Sequence, residues 1–149
     1  MRLDRETLLE VVRYTPLVSV DLIVRNSKGQ VLVGLRSNEP AKGMWFVPGG
    51  RICKDERIVQ AIARVSLDEL GVDLSAEASL LGVYEHLYDT NFAGAPDVGT
   101  HYVVLAYQAG LADGIGLSGD DQHSQFRWAA PADLLADDSV HPNTQAYFR

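Results

Sequence analysis

Residues 50–72 read GRICKDERIVQAIARVSLDELGV, and this stretch decides the fold. In its second half the apolar side chains recur at helical spacing, at Ile58, Ile62, Val65 and Leu70. This spacing predicts an amphipathic helix over 58–70. Gly71 follows directly, and glycine suits the left-handed conformation in which many helices end. The stretch therefore predicts a loop that runs into one helix with a defined stop.

The flanking sequence predicts many strands around a few helices. Asp4 can cap a short amphipathic helix over 4–13, which Thr15 and Pro16 would stop. Strands are predicted at 17–25, 30–36, 44–47, 79–89, 100–109 and 125–129, and Pro131 opens a last helix over 131–138. Residues 48–50 are predicted to form a turn. This order predicts an α/β sandwich with a mixed sheet, in a single domain over 1–149.

The charge balance narrows the classes of partner. Asp and Glu outnumber Lys and Arg by 20 to 13, which gives a formal net charge of −7. An acidic chain without a basic stripe is a poor non-specific binder of nucleic acid or of an anionic membrane. Charges interrupt every apolar run near the N-terminus, so we expect neither a signal peptide nor a membrane span. Cys53 is a lone cysteine and cannot form an internal disulfide, which suits the cytoplasm.

The spacing of polar residues in 50–72 resembles the Nudix box. That motif has a glycine, five residues, a glutamate, seven residues, then Arg-Glu-apolar-any-Glu-Glu-any-Gly-apolar. The residues that match it are Gly50, Glu56, Arg64, Glu69, Gly71 and Val72. Asp68 replaces the first glutamate of the final pair, Val65 replaces the glutamate after the arginine, and Ser66 replaces an apolar residue. The resemblance implies a Nudix hydrolase with the α/β/α sandwich of that family.

The box also predicts a metal site. Residues 65, 68 and 69 lie at i, i+3 and i+4, so we expect a helix to place them on one side. Carboxylates there, with a backbone carbonyl from the diglycine turn, would form an oxygen-rich site suited to Mg²⁺. Because Val65 offers no ligand, we expect a single protein-bound metal. A surface ion pair between Arg64 and Asp68 is the alternative reading of those two charges, and the family resemblance implies that Glu56 and Arg64 brace the loop.

Blocks outside the box resemble one branch of the family, the GDP-mannose mannosyl hydrolases. They are PLVSVDLIV, LVGLRSNEPAKGMWFVPGGR, GVYEHLYDTNF, THYVVLAY and DDQHSQFRW. The resemblance implies that water attacks the anomeric carbon of a nucleotide-sugar, releasing GDP and the free sugar with inversion. It further implies that Gly49, Glu69 and Gln122 bind the metal, that His123 is the general base, and that the chain forms a homodimer.

Three further residues match functional positions of that branch: Asp21, His86 and Tyr102. Arg36 ends a predicted strand and Arg51 follows the diglycine turn, so we expect both to reach the metal region. Guanidinium groups can hold phosphate oxygens, so the arginines would neutralise the leaving diphosphate. The phenol of Tyr102 would assist them, and His86 could do so as an imidazolium. Asp21 interrupts an apolar strand, where a carboxylate needs partners. Solvent-exposed side chains are the alternative for all five, and neither His101 nor His141 is assigned a role.

Two other functions remain open from the sequence. One is a standard Nudix pyrophosphohydrolase that converts an NDP-sugar, or another nucleoside diphosphate derivative, to NMP and a sugar 1-phosphate. The missing carboxylate at Val65 argues against it. The other is a catalytically silent Nudix fold that senses a ligand, against which Glu69, Gln122 and His123 argue. The sequence does not distinguish mannose from glucose.

Overall fold

The computed structural model describes residues 2–115, 117 and 123–149, with His123 and Ser124 described by their backbone alone. The helices and strands follow one another as α1 Arg5–Tyr14, β1 Leu17–Arg25, β2 Val31–Arg36, β3 Trp45–Phe46, β4 Gly49–Arg51, α2 Ile58–Leu70, β5 Ser79–Tyr88, β6 Thr100–Gly110, β7 His123–Ala129, α3 Pro131–Ala136 and α4 Pro142–Gln145. A 3₁₀ turn, Ala146–Phe148, ends the chain. No helix of these ranges is long and apolar enough to cross a membrane.

The strands form one mixed sheet, as the sequence predicts. Its central order is β3-β2-β1-β6-β5, with β4 pairing on β1 and β7 pairing on β2. The pairing of β1 with β6 is parallel, and the other pairings are antiparallel. In this register Asp21 lies beside Gly49, and Tyr102 lies beside both Leu17 and His86.

Alternate residues of β1 face opposite sides of the sheet. Val20 and Leu22 pack with α2 in one apolar cluster. On the other side, Leu17 packs against α1, and Ile23 packs in a second cluster with Tyr147 of the C-terminal turn. Helices therefore cover both faces, which confirms the α/β/α sandwich. On the second face, the β1 side chains between Leu17 and Ile23 belong to neither of these two apolar clusters and lie in the gap between them.

The long periodic elements begin and end close to their predicted bounds. The helix predicted over 58–70 is α2, and Gly71 ends it with a φ of 77°. Asp4 caps α1, because its Oδ1 accepts a hydrogen bond of 2.8 Å from the backbone N–H of Thr7. The helix predicted over 131–138 ends at Ala136, since the next residue is extended.

Three short elements differ from the prediction. The turn predicted over 48–50 is wrong, because Gly49–Arg51 is a strand that pairs with β1. At the C-terminus, α4 and the 3₁₀ turn form where no element was predicted. These pieces lack a periodic apolar pattern and depend on tertiary contacts. The Nε2 of Gln145, for example, donates to the carbonyl oxygens of Leu134 at 3.0 Å and Asp137 at 3.1 Å.

Candidate active site

A cavity of about 580 Å³ opens on the second face of the sheet, where α1 and the loop after β2 border it. Residues predicted for the site from distant parts of the sequence line it together: Asp21, Arg36, Gly49, Arg51, His86 and Tyr102. They come from five strands, β1, β2, β4, β5 and β6. The pairing of these strands explains the convergence, because residues in register across a sheet share a face.

The two glycines of β4 connect this cavity to α2. A Cβ on Gly49 would lie 2.3 Å from Oδ1 of Asp21 and 2.7 Å from the carbonyl oxygen of Val20. A Cβ on Gly50 would lie 3.0 Å from Cγ2 of Val65. Gly49 thus faces the cavity while Gly50 faces α2. Only glycine at position 49 lets the strand approach Asp21 so closely.

Asp21 has the partners that a carboxylate in an apolar strand requires. Its Oδ2 accepts a hydrogen bond from the hydroxyl of Tyr147. Burial raises the pKa of Asp21 to about 6, while the Tyr147 hydrogen bond and the charge of Arg36 oppose that rise. The raised pKa reflects a low-dielectric position whose cost is only partly offset by these two groups.

His86 does not have the character that the sequence suggested. Only 5% of the residue is exposed, and its Nε2 lies 3.3 Å from the Tyr147 hydroxyl. Burial, followed by the charge of His141, lowers the pKa of His86 to about 4. The predicted imidazolium is therefore wrong at neutral pH. A neutral imidazole can still donate or accept a hydrogen bond in the cavity.

Both arginines lie close enough to Tyr102 for their charges to act on its phenol. Burial raises the pKa of Tyr102, and the charges of Arg36 and Arg51 both oppose that rise. Arg36 is held by a hydrogen bond of 3.0 Å from its Nε to the carbonyl oxygen of Pro40, and its guanidinium lies 5.6 Å from the centroid of the Phe46 ring. The cavity therefore combines two cations with a protonated phenol, a set of donors suited to an anionic group.

The predicted brace between Glu56 and Arg64 is confirmed. The Nε and Nη2 of Arg64 donate to the two oxygens of Glu56 at 2.8 and 3.0 Å. The same Nη2 donates to the carbonyl oxygen of Arg51 at 2.8 Å, and Glu56 accepts from the backbone N–H of Cys53 at 3.0 Å. The brace thus fixes the backbone at Arg51, which lines the cavity.

Of the candidate metal ligands, Glu69 lies on α2, which packs on the opposite side of the sheet from the cavity. Glu69 is 3% exposed on the buried side of α2, one turn after Val65. The expectation that Asp68 shares that side is wrong: its side chain is 67% exposed and lies 4.0 Å from Nη1 of Arg64. The helix turns position 68 about 100° away from 69, and Arg64 is one turn before it. Asp68 therefore matches the surface ion pair that the sequence left open.

The donor set fits one hard cation. A carboxylate and backbone carbonyls offer oxygen ligands of the kind that Mg²⁺ and Mn²⁺ accept. Across residues 2–115, 117 and 125–149, no group of three or more His, Cys, Asp or Glu side chains lies close enough together to hold a metal ion. Glu69 is not among the described residues that line the cavity. Gln122 and the side chain of His123 fall outside the described residues, and the backbone of His123 pairs in register with Arg36.

Sequence reasoning missed three aromatic residues around the site. Tyr147 contacts Asp21 and His86, while burial raises the pKa of Tyr88, a cavity residue, to about 12. His141 stacks on Phe46 with a centroid distance of 4.6 Å, and its Nδ1 accepts a hydrogen bond from the backbone N–H of Asn143, the second residue of α4. The sequence offered one signal for this region: Pro142 could have indicated the start of a helix directly after His141, because proline is frequent at the first helical position.

The NUDIX domain model matches residues 15–148. The chain belongs to the Nudix family. It is accordingly a hydrolase, from a family that acts on nucleoside diphosphate derivatives and generally uses divalent metals. The cavity with its cationic groups and the box residues on α2 are the parts of this fold that bear on that chemistry.

Relatives of this Nudix chain include a curated protein and solved structures. The chain is 44% identical over 137 residues to the low-salt glycan biosynthesis protein Agl8 of Haloferax volcanii, covering 92% of this chain and 83% of that protein. A MutT NUDIX hydrolase from Burkholderia pseudomallei is 26% identical with a TM-score of 0.69, covering 90% and 96% of the two chains. A MutT protein from Methanosarcina mazei, at 19% identity and a TM-score of 0.74 over 91% and 92%, shares the fold.

Proposed function

We propose that this Nudix hydrolase cleaves GDP-mannose or GDP-glucose at the anomeric carbon, giving GDP and the free sugar with inversion. The observation that carries the proposal is Val65, which is 2% exposed in the apolar cluster beneath Gly50. Valine there replaces a box carboxylate by a core side chain. With one carboxylate fewer, the described residues can bind fewer metal ions than a hydrolase that attacks at phosphorus with several metals would need.

The leaving diphosphate needs its charge neutralised. Arg36 and Arg51 line one cavity, and both are close enough to Tyr102 for their charges to oppose the rise in its pKa. In the proposal these guanidinium groups hold phosphate oxygens, and the phenol of Tyr102 donates to the departing oxygen. When bound, Mg²⁺ would supply further positive charge at the diphosphate, held by the Gly49 carbonyl, Glu69 and Gln122.

The attacking water needs a base and the sugar needs orientation. His123 is the proposed base, since an imidazole can accept a proton from water near neutral pH. Its backbone lies beside Arg36, so the base and a leaving-group arginine would come from neighbouring strands. Asp21 and neutral His86 are proposed to orient the sugar by hydrogen bonds from the floor of the cavity.

Isotope labelling tests the bond that breaks. The purified protein is incubated with GDP-mannose, and separately GDP-glucose, with Mg²⁺ in ¹⁸O-labelled water. The proposal expects GDP as the nucleotide product, label on the sugar, and an inverted anomer in the first proton NMR spectra. GMP with label in a phosphate would instead establish the pyrophosphohydrolase reaction. Binding of the nucleotide-sugar without turnover would indicate a ligand sensor.

A cytoplasmic homodimer completes the proposal. The edge strand β5 supports it with exposed apolar side chains, because Val83 is 60% and Leu87 is 68% exposed. An apolar edge strand left uncovered favours association. Sedimentation velocity across a concentration series would test it, with a species of twice the chain mass expected and a constant monomer contradicting it.

A further inference from the structure

Tyr147 connects two cavity residues that lie on different strands. Its hydroxyl donates to Oδ2 of Asp21 on β1 and lies 3.3 Å from Nε2 of His86 on β5. A phenol has one proton to donate. With that proton given to ionised Asp21, the oxygen of Tyr147 accepts from His86. The three groups then form a chain in which His86 donates to Tyr147 and Tyr147 donates to Asp21.

The surrounding packing holds this hydroxyl in place. Tyr147 is 7% exposed, and its ring meets the ring of Tyr84 edge-on with centroids 4.7 Å apart. The turn that carries it is anchored by Gln145, whose amide donates to carbonyl oxygens at the end of α3. Just upstream, Oγ1 of Thr144 accepts a hydrogen bond of 3.3 Å from the backbone N–H of Val47.

Asp21 is confined from two directions. Tyr147 holds Oδ2, and Oδ1 occupies the space that a Cβ on Gly49 would need. Since Asp21 and His86 line the cavity while Tyr147 is not among the described lining residues, the hydroxyl can act on a ligand only through these two side chains.

We propose that Tyr147 is a positioning residue, which fixes the carboxylate of Asp21 and the Nε2–H tautomer of His86 so that both present defined hydrogen-bonding groups to the sugar. This inference rests on the proposed function. In the proposed function Asp21 and His86 orient the sugar, so we expect the effect on substrates that carry the sugar and not on GDP alone. Positioning of this kind contributes to turnover through alignment.

The test is Tyr147→Phe, which keeps the ring and removes the hydroxyl. We expect kcat/KM for GDP-mannose to fall about 10- to 100-fold, mainly in kcat, whereas the Kd for GDP stays within about twofold of the wild-type value. Tyr84→Phe is the matched control, since it removes a phenol hydroxyl from the ring packed against Tyr147, and it should retain wild-type kcat/KM. Thermal unfolding of each variant shows whether the fold is kept.

A second measurement does not require activity. The long-range ¹H–¹⁵N NMR spectrum of His86 should show the Nε2–H tautomer in the wild type and lose that preference in Tyr147→Phe. An Nδ1–H tautomer in the wild type would overturn the hydrogen-bonded chain. So would unchanged kcat/KM in Tyr147→Phe, or GDP binding weakened as much as turnover. A wild type that releases GMP would reject the proposed function, whereas these outcomes in a GDP-releasing enzyme reject the role of Tyr147.

Discussion

Arg64 holds both carboxylate oxygens of Glu56, at 2.8 and 3.0 Å, and with the same Nη2 it holds the backbone of Arg51 at 2.8 Å. A single guanidinium thus ties the loop before α2 to the strand that lines the cavity. The pair is only partly shielded, with side-chain exposures of 37% for Arg64 and 15% for Glu56. Its main contribution is to fix the loop, because partly exposed ion pairs add little stability of their own.

Glu56→Gln should lower the free energy of unfolding at pH 7 by about 1 kcal/mol, after allowance for solvent screening. The hydrogen bonds from Arg64 hold the pKa of Glu56 below its ordinary value. A carboxyl with a lowered folded pKa adds stability above its unfolded pKa, about 4.3, and loses it as the pH falls through the folded value. Urea unfolding should show a larger difference at pH 7 than at pH 3. An equal difference at both would contradict the charged pair.

His86 should titrate far below an ordinary histidine, with an NMR midpoint near pH 4. The groups that face it are His141, Tyr88 and Tyr147, the last of which connects it to Asp21. The unfolded chain takes up this proton below about pH 6.5, whereas the folded chain takes it up only near pH 4. The free energy of unfolding therefore decreases as the pH is lowered from about 6.5 to about 4. The slope contributed by this group approaches about 1.4 kcal/mol per pH unit. His86→Gln should flatten that slope, and a midpoint near 6.5 would refute the assignment.

Gly49→Ala should displace β4 from β1. The added Cβ would meet Oδ1 of Asp21 at 2.3 Å and the Val20 carbonyl oxygen at 2.7 Å, so the strand must shift. Overpacking of this kind costs about 1–3 kcal/mol, and we expect activity to fall with it. Gly110→Ala is the control, because a Cβ there meets nothing within 4 Å. Equal stability of both variants in thermal unfolding would show that the strand tolerates the methyl group.

Glu69→Gln should raise the Mg²⁺ concentration needed for half-maximal activity and reduce turnover about 100-fold or more at limiting metal. Asp68→Asn is the matched comparison on the same helix, since its side chain is 67% exposed beside Arg64. We expect it to keep the wild-type metal requirement. If the Glu69 variant needed no more Mg²⁺ than the wild type, the metal would be held by other residues.

His123→Gln should lower kcat by about 10²–10⁴-fold, the usual contribution of general acid–base catalysis, with a smaller effect on KM. Glutamine retains comparable bulk and a hydrogen-bonding amide but does not accept the proton. The Kd for GDP, measured by calorimetry, is the control for an intact cavity. If the variant kept most of its kcat, His123 would not be the general base, and Asp120 or Asp121 in the same segment would be the next candidates.

The sequence by itself determined the elements whose pattern is local. The helical spacing from Ile58 to Leu70 and the stop at Gly71 were sufficient for α2, since periodic burial and a left-handed cap depend on neighbouring residues. The Glu56–Arg64 brace was implied by the resemblance to the Nudix box, and the structure contains it. The resemblance to a known branch predicted Asp21, His86 and Tyr102 as site residues. Arg36 and Arg51 were predicted from their places at a strand end and after the diglycine turn. All five side chains line one cavity in the fold.

Tertiary structure decided what depends on distant contacts. Tyr147 donates a hydrogen bond to Asp21, which is 126 positions away in the sequence, and no periodic pattern predicts this contact. Burial gives His86 its low pKa, which composition and spacing do not encode. The strand Gly49–Arg51 forms because it pairs with β1. Asp68 and Glu69 are adjacent in sequence but differ in exposure, because the helix directs Asp68 to solvent and Glu69 into the protein. Pairing and burial are properties of the assembled sheet and its covering helices.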